Sequence, residues 1–171
     1  MKINELLEGV TEDFEVSGLQ IDSRQVSPGD LFVCIKGYTV DGHDYAHQAE
    51  ANGAVGIVGE RRVEGIQIPQ IIIQNTGATL PLLAHAILNE PTKYMQLFGV
   101  TGTNGKTTVS YMMEHLLQGF KEGVGYIGTN GIRYASVRHE PVNTTPNALD
   151  LQATFADMLK CGTKRVSLEV S

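Results

Sequence analysis

Short apolar runs alternate with helix-spaced apolar positions along the whole chain. Residues 31–35 (LFVCI) form a continuous apolar run between Pro28-Gly29-Asp30 and Gly37, which predicts a buried strand. Residues 44–52 predict a short, alanine-bearing helix that stops at Gly53. The β-branched runs 55–58 and 70–74, bounded by glycine or proline, predict two further strands. Residues 81–88 predict a helix capped near Thr79 or Leu80, with Pro81 in the first turn, where a missing N–H costs nothing.

The polar segment Asn89-Glu90-Pro91-Thr92 separates two patterned regions and predicts domains over 1–90 and 91–171. The second region opens with a strand at 96–100, a loop at 101–105 and a helix from Lys106 or Thr107. That helix carries Val109, Met112, Met113, Leu116, Leu117 and Phe120 at helical spacing, a single stripe that predicts one face packed on a sheet. A strand is expected at 124–127. Thr145 is expected to cap a helix with Pro146 at its first position, ending at Lys160 before Gly162. Its core face would be Ala148, Leu151, Phe155, Met158 and Leu159, and a last strand is expected at 165–170. Strands alternating with helices specify an α/β fold, a small N-terminal α/β domain followed by the start of a domain with a mostly parallel sheet. So few strands in the second domain would leave an open edge and an uncovered face, so the 171 residues are expected to belong to something longer.

Composition narrows the function classes. A hydrophobic share of 42% and a charged share of 19% are ordinary for a globular chain. The formal net charge is −6 and no basic run occurs, which argues against nucleic-acid or membrane-surface partners. Recognition of phosphate would have to be local. No apolar stretch approaches the roughly 18 residues of a membrane span, and the N-terminus lacks the pattern of a signal peptide. Cys34 and Cys161 are far apart and outside any metal spacing; Cys34 reads as a buried thiol, and a reducing, cytoplasmic setting is expected. His43 and His47 stand at i, i+4 spacing, but no third ligand accompanies them and zinc is not expected. Arg61-Arg62 reads as a solvated turn.

The candidate chemistry lies at Val100-Thr101-Gly102-Thr103-Asn104-Gly105-Lys106-Thr107-Thr108, between the strand and the striped helix. Successive backbone N–H groups in such a loop make a concave anion site, and the helix N-terminus adds unsatisfied donors and the positive end of its dipole. Gly102 and Gly105 let the backbone approach phosphate oxygens. Lys106 would reach the β- and γ-phosphates of a nucleoside triphosphate, and the Thr107 hydroxyl would ligate Mg²⁺. The general pattern G-x-x-x-x-G-K-[ST] is missed, because Val100 stands where its first glycine belongs; the shorter G-x-x-G-K-T remains. Glu169, at the C-terminal end of the last expected strand, sits at the edge where ligands collect in such sheets and suits a second Mg²⁺ ligand.

At these residues the chain resembles the Mur ligase family of ATP-dependent amide-bond synthetases. T-G-T-N-G-K-T-T at 101–108 is similar to that family's short phosphate loop. Asp22-Ser23-Arg24, Pro28-Gly29-Asp30-Leu31-Phe32-Val33 and Asp41-Gly42 resemble its N-terminal substrate-binding domain. Asn143-Thr144-Thr145-Pro146 and Leu168-Glu169-Val170-Ser171 resemble the members that add the third residue of the peptide. The resemblance implies that Ser23 contacts the uridine-diphosphate end of the substrate. It implies that Asn143, Thr144, Thr145 and Ser171 bind UDP-MurNAc-L-Ala-D-Glu nearer the reacting carboxylate. The implied reaction joins a diamino acid, lysine or meso-diaminopimelate, to that substrate through an acyl phosphate, with Lys106 and Thr107 in the catalytic machinery and Thr103, Asn104 and Thr108 among the nucleotide contacts. The full-length enzyme would be a monomer, and the 171 residues alone would not complete the reaction. The alternatives are the family's ligase for D-Ala-D-Ala, a folylpolyglutamate-type ligase, which should lack the D-S-R and P-G-D-L-F segments, and a nucleotide-binding module without chemistry.

Overall fold

The computed structural model describes residues 1–7, 9–37, 39–119, 123–140 and 146–170. They fall into two compact units, Met1–Ile87 and Leu88–Ser171, each with its own sheet.

In the first unit, helix α1 (Ile3–Leu6) precedes strands β1 (Gly18–Gln20) and β2 (Asp30–Val33), helix α2 (Ala46–Ala51), strands β3 (Gly56–Gly59) and β4 (Gln70–Ile72), and helix α3 (Thr76–Ile87). The four strands lie in the order β1-β2-β3-β4 and all pairings are parallel. Every residue of β2 and β3 is buried, which is why these strands read as unbroken apolar runs rather than alternating ones. Phe32, Cys34 and Ile57 form the core with Ala46 and Ala49 of α2, and Val63, Ile66 and Ile68 pack against it. Burying a side chain the size of Phe32 contributes about 1.5–3 kcal/mol.

In this unit two helix starts differ from the sequence-based expectation. Before α2, a 3₁₀ turn (Gly42–Tyr45) begins where the Asp41 carboxylate accepts the His43 N–H, so the α-helix starts only at Ala46. Helix α3 starts at Thr76, well before Pro81. Asn75 Oδ1 accepts the Ala78 N–H at 2.8 Å, and the Thr76 N–H and hydroxyl both donate to Glu60 Oε1. This cap and anchor outweigh the interior proline, which supplies no N–H to the turn before it.

The second unit opens with a 3₁₀ turn (Pro91–Tyr94) and runs through β5 (Gln96–Val100), α4 (Lys106–Leu117), β6 (Gly123–Gly128), β7 (Gly131–Tyr134), β8 (Val137–His139), α5 (Ala148–Lys160) and β9 (Thr163–Glu169). The sheet is mixed, in the order β5-β9-β6-β7-β8: β9 runs parallel to both β5 and β6, and β7 and β8 are added by antiparallel hairpins. Val100 pairs with Glu169 and Ile127 with Leu168, so the C-terminal ends of three parallel strands meet at one edge. Ile127, Tyr134, Phe155, Met158, Val166 and Leu168 form the core, with Leu151 packed against it; Ala148 and Leu159 are half-buried.

Helix α4 does not bury the whole stripe assigned to it. Ser110 and Leu117 are buried and Met113 is half-buried, whereas Val109, Met112 and Leu116 are 47%, 61% and 69% exposed. The buried line is i, i+3, i+7 from Ser110, where a small residue lets the helix lie close on β9; Ser167 Oγ donates to the Ser110 carbonyl at 2.9 Å. Phe120, the last residue of the expected stripe, lies outside the described residues. Helix α5 is capped by Asn147, whose Oδ1 accepts the Asp150 N–H at 2.9 Å, so Pro146 precedes the cap instead of occupying the first turn. Thr145, the expected cap, lies outside the described residues. Among those residues no helix is long and apolar enough to cross a membrane.

Candidate nucleotide-binding site

Strand β5 ends at Val100 and the chain turns through the glycine loop into α4. Gly105 is the residue before the helix and has φ +80°; Gly102 has φ +148°. A Cβ built on Gly105 meets nothing within 4 Å, so the need for glycine there is conformational rather than steric. Thr103, Asn104, Gly105, Lys106, Thr107 and Thr108 line a cavity of about 330 Å³ together with Thr129 and Glu169. The first N–H groups of α4 have no partners within the helix, so the polar end of the helix is directed at this cavity. Lys106 Nζ donates to the Gly102 carbonyl at 2.8 Å, so the ammonium group is folded back over its own loop.

Glu169 ends β9 directly beside this loop and is fully buried. Its Oε2 accepts the Thr107 hydroxyl at 3.0 Å and the Thr129 hydroxyl at 3.1 Å. Its Oε1 accepts the Thr129 N–H at 3.2 Å and the Tyr126 hydroxyl. Burial pushes the Glu169 pKa up, but the donors from Tyr126, Thr107 and Thr129 outweigh it and hold the carboxyl below its ordinary value. Glu169 is therefore an ionised carboxylate inside the fold. Burial and the adjacent carboxylate push the Tyr126 pKa up, which keeps its hydroxyl a donor.

The oxygens of Thr107 and Glu169 are hard donors placed beside a phosphate-type loop, a set that fits Mg²⁺. Among the described residues no group of three or more His, Cys, Asp or Glu could hold a metal ion.

Tyr126, Thr129 and the residues behind them were not read from the sequence. Arg133 of β7 lies 4.1 Å over the Tyr126 ring and 4.7 Å over the Tyr111 ring, and pairs with Glu114 of α4 at 2.6 Å. The Asn130-Gly131 pair between apolar runs was the available signal for the β6–β7 hairpin that brings Thr129 and Arg133 here.

In the first unit, Ser23 opens a 3₁₀ turn (Ser23–Gln25) capped by Asp22, and it is buried. Its hydroxyl donates to Gln48 Oε1 at 2.6 Å and its carbonyl accepts Asn52 Nδ2 at 2.8 Å. Asn143, Thr144, Thr145 and Ser171 lie outside the described residues. His43 has both ring nitrogens occupied: Nδ1 faces Asp41 Oδ1 at 2.6 Å, and Nε2 accepts the Glu60 N–H at 2.9 Å. Its ring therefore links Asp41 to the Glu60 backbone. Arg61 is not simply solvated, since it reaches Asp41 at 3.2 Å and Asp44 at 3.4 Å.

Residues 15–87 match the model described as "Mur ligase family, catalytic domain", and residues 100–171 match the Mur ligase middle domain. The chain belongs to the Mur ligase family. This Mur ligase chain is 46% identical over 160 residues to the UDP-N-acetylmuramoyl-L-alanyl-D-glutamate--2,6-diaminopimelate ligase of Bacillus licheniformis, covering 94% of this chain and 33% of that protein. It is 42% identical over 178 residues to the protein of the same name in Listeria monocytogenes, covering 100% of this chain and 36% of that one. A solved structure of a ligase with that name superposes with a TM-score of 0.81 at 24% identity, over 100% of this chain and 36% of the other; that likeness shows the fold. The crystal structure of MurF ligase from Thermotoga maritima in complex with ADP gives a TM-score of 0.61 at 27% identity, over 90% and 32%. This Mur ligase chain thus spans about a third of the length of the curated relatives it matches.

Proposed function

We propose that the chain is the N-terminal part of an ATP-dependent ligase of peptidoglycan precursor synthesis, one that joins 2,6-diaminopimelate to UDP-MurNAc-L-Ala-D-Glu. The observation that carries this reading is the Thr107–Glu169 pair at the mouth of the glycine loop: an ionised, buried carboxylate beside a site built for phosphate. The names of the relatives support the choice of substrate and of 2,6-diaminopimelate over lysine or D-Ala-D-Ala. A cytoplasmic setting follows from the same reading, since ATP and the UDP-linked substrate are used there.

In this reading the substrate carboxylate attacks the γ-phosphorus of ATP. The bond to the bridging oxygen breaks, and ADP leaves an acyl phosphate. The amine of the diamino acid then attacks the acyl carbon, releasing phosphate and forming the amide. The obstacle in the first step is that two anions must approach, so the protein's contribution is positioning and neutralisation of charge. Lys106 leaves the Gly102 carbonyl and takes up a phosphate oxygen in its place, and the loop N–H groups hold the remaining oxygens. Thr107 and Glu169 would hold Mg²⁺, which supplies positive charge to the polyphosphate when bound. Ser23 would meet the uridine-diphosphate end of the substrate, and Asn143, Thr144, Thr145 and Ser171 its peptide end.

The test is phosphate release by the full-length polypeptide in the presence of ATP and Mg²⁺. Release that requires both UDP-MurNAc-L-Ala-D-Glu and 2,6-diaminopimelate is expected. Release that ignores both, or that requires D-Ala-D-Ala with a tripeptide substrate, would overturn the assignment.

A further inference from the structure

The two oxygens of Glu169 have different surroundings. Oε1 points into the sheet, toward the Tyr126 hydroxyl and the Thr129 N–H; Oε2 points toward the hydroxyls of Thr107 and Thr129 on the cavity side. A backbone N–H cannot turn away, and a packed ring keeps the phenol oxygen in place, within reach of Oε1. Threonine hydroxyls can rotate and offer their lone pairs, and those of their partner, to a cation.

Several features hold Tyr126 in place. The residue is fully buried, its ring lies 5.1 Å from that of Tyr111, and the Arg133 guanidinium covers it. Arg133 is held in turn by Glu114, with both side chains largely buried, and it donates to the Tyr111 hydroxyl at 3.2 Å. Tyr111 and Glu114 belong to α4, the helix that carries Lys106 and Thr107. Contacts therefore run from α4 through Arg133 and Tyr126 to Glu169, and return to α4 at Thr107. Gly128 completes the arrangement, because a Cβ there would overlap Glu169 Oε1 and the Tyr126 hydroxyl.

We propose that Tyr126 is a positioning residue that commits one oxygen of Glu169 to the protein, so that the carboxylate meets a divalent cation through Oε2 alone. This rests on the reading of Glu169 as a metal ligand and adds a selectivity to it. A carboxylate restricted to one oxygen suits the small octahedral shell of Mg²⁺ or Mn²⁺. Ca²⁺, with its larger and more flexible shell, gains most from carboxylates that bind through both oxygens. Loss of the Tyr126 hydroxyl removes one donor from Oε1 and leaves the longer Thr129 N–H contact at 3.2 Å, so Oε1 is held less firmly, the site loses affinity for Mg²⁺ and its preference over Ca²⁺ narrows.

The experiment uses the full-length polypeptide with a non-hydrolysable ATP analogue. Mn²⁺ binding is followed by electron paramagnetic resonance, and Mg²⁺ and Ca²⁺ are titrated as competitors against wild type, Tyr126→Phe and Glu169→Gln. Tyr126→Phe removes a single oxygen, and its circular dichroism and thermal melt report whether it is folded. The expected result is Mn²⁺ binding weakened by about 10-fold, the lower end for loss of an outer-shell partner, with a smaller ratio of Mg²⁺ to Ca²⁺ affinity. Binding within twofold of wild type, or weaker binding at an unchanged Mg²⁺/Ca²⁺ ratio, would overturn the proposal. Unchanged Mn²⁺ binding in Glu169→Gln would instead defeat the underlying metal-ligand reading.

Discussion

A carboxylate that is fully buried and still ionised is costly unless donors surround it, and Glu169 meets that condition with hydroxyls from Thr107, Thr129 and Tyr126. Its folded pKa lies below the ordinary value, so its contribution to stability is complete at neutral pH and disappears as pH falls through the folded pKa. Denaturant titrations of wild type and Glu169→Gln should therefore differ by a constant amount above the ordinary carboxylate range and converge on acidification; a difference that grows toward low pH would contradict this. Cys34 gives a second expectation at this scale. Burial pushes its thiol up to about 12, whereas Cys161 is exposed. The native chain should take one equivalent of a maleimide, at Cys161, and two after unfolding, as read by mass spectrometry. The strand, glycine loop and helix start at 96–106 were legible in the sequence because they are built from consecutive residues. Glu169 stood out because an acid at the end of a strand faces the ligand edge. Tyr126, Arg133 and Glu114 were not legible, because their contacts join β6, β7 and α4 across the fold and follow no spacing along the chain.

Elements with a strong local signal appeared where the sequence placed them: β5 spans Gln96–Val100, and α4 begins at Lys106. Misjudged boundaries were those where two local signals compete. In α3 the proline argued for a late start, while Asn75 and the Thr76–Glu60 contacts fix an early one. Pro81→Ala should restore a backbone N–H to the helix interior and stabilise the chain by about 1 kcal/mol or more. Asn75→Ala should cost about 1 kcal/mol. Chemical denaturation of the two variants checks both signs, and a destabilised Pro81→Ala would mean that the helix is built around the proline. Periodicity alone also overstated the buried face of α4, since a stripe of Val109, Met112 and Leu116 looks the same in sequence whether or not anything covers it. Leu117→Ala should cost about 2–5 kcal/mol, whereas Met112→Gln should stay within about 0.5 kcal/mol.

For the whole molecule, each unit has its own core and sheet, and the chain spans about a third of its curated relatives. Among the described residues strand β5 lies at one edge of the second sheet, and its Leu97 is exposed, as are Val109, Met112 and Leu116 of α4. An apolar face next to an open sheet edge favours self-association. The 171-residue chain should show a concentration-dependent mass in analytical ultracentrifugation, and Leu116→Lys should reduce it. With a net charge of −6, the molecule has no general attraction for polyphosphate, so the proposed nucleotide binding would depend on a few donors around Gly105. The most direct measurement is a calorimetric titration of a non-hydrolysable ATP analogue with Mg²⁺ into the full-length polypeptide, wild type against Lys106→Ala. Loss of one charge-assisted contact to phosphate, about 1.5–3 kcal/mol, should weaken binding roughly 10- to 100-fold. Equal affinity in the two proteins would contradict the assignment of the loop to nucleotide.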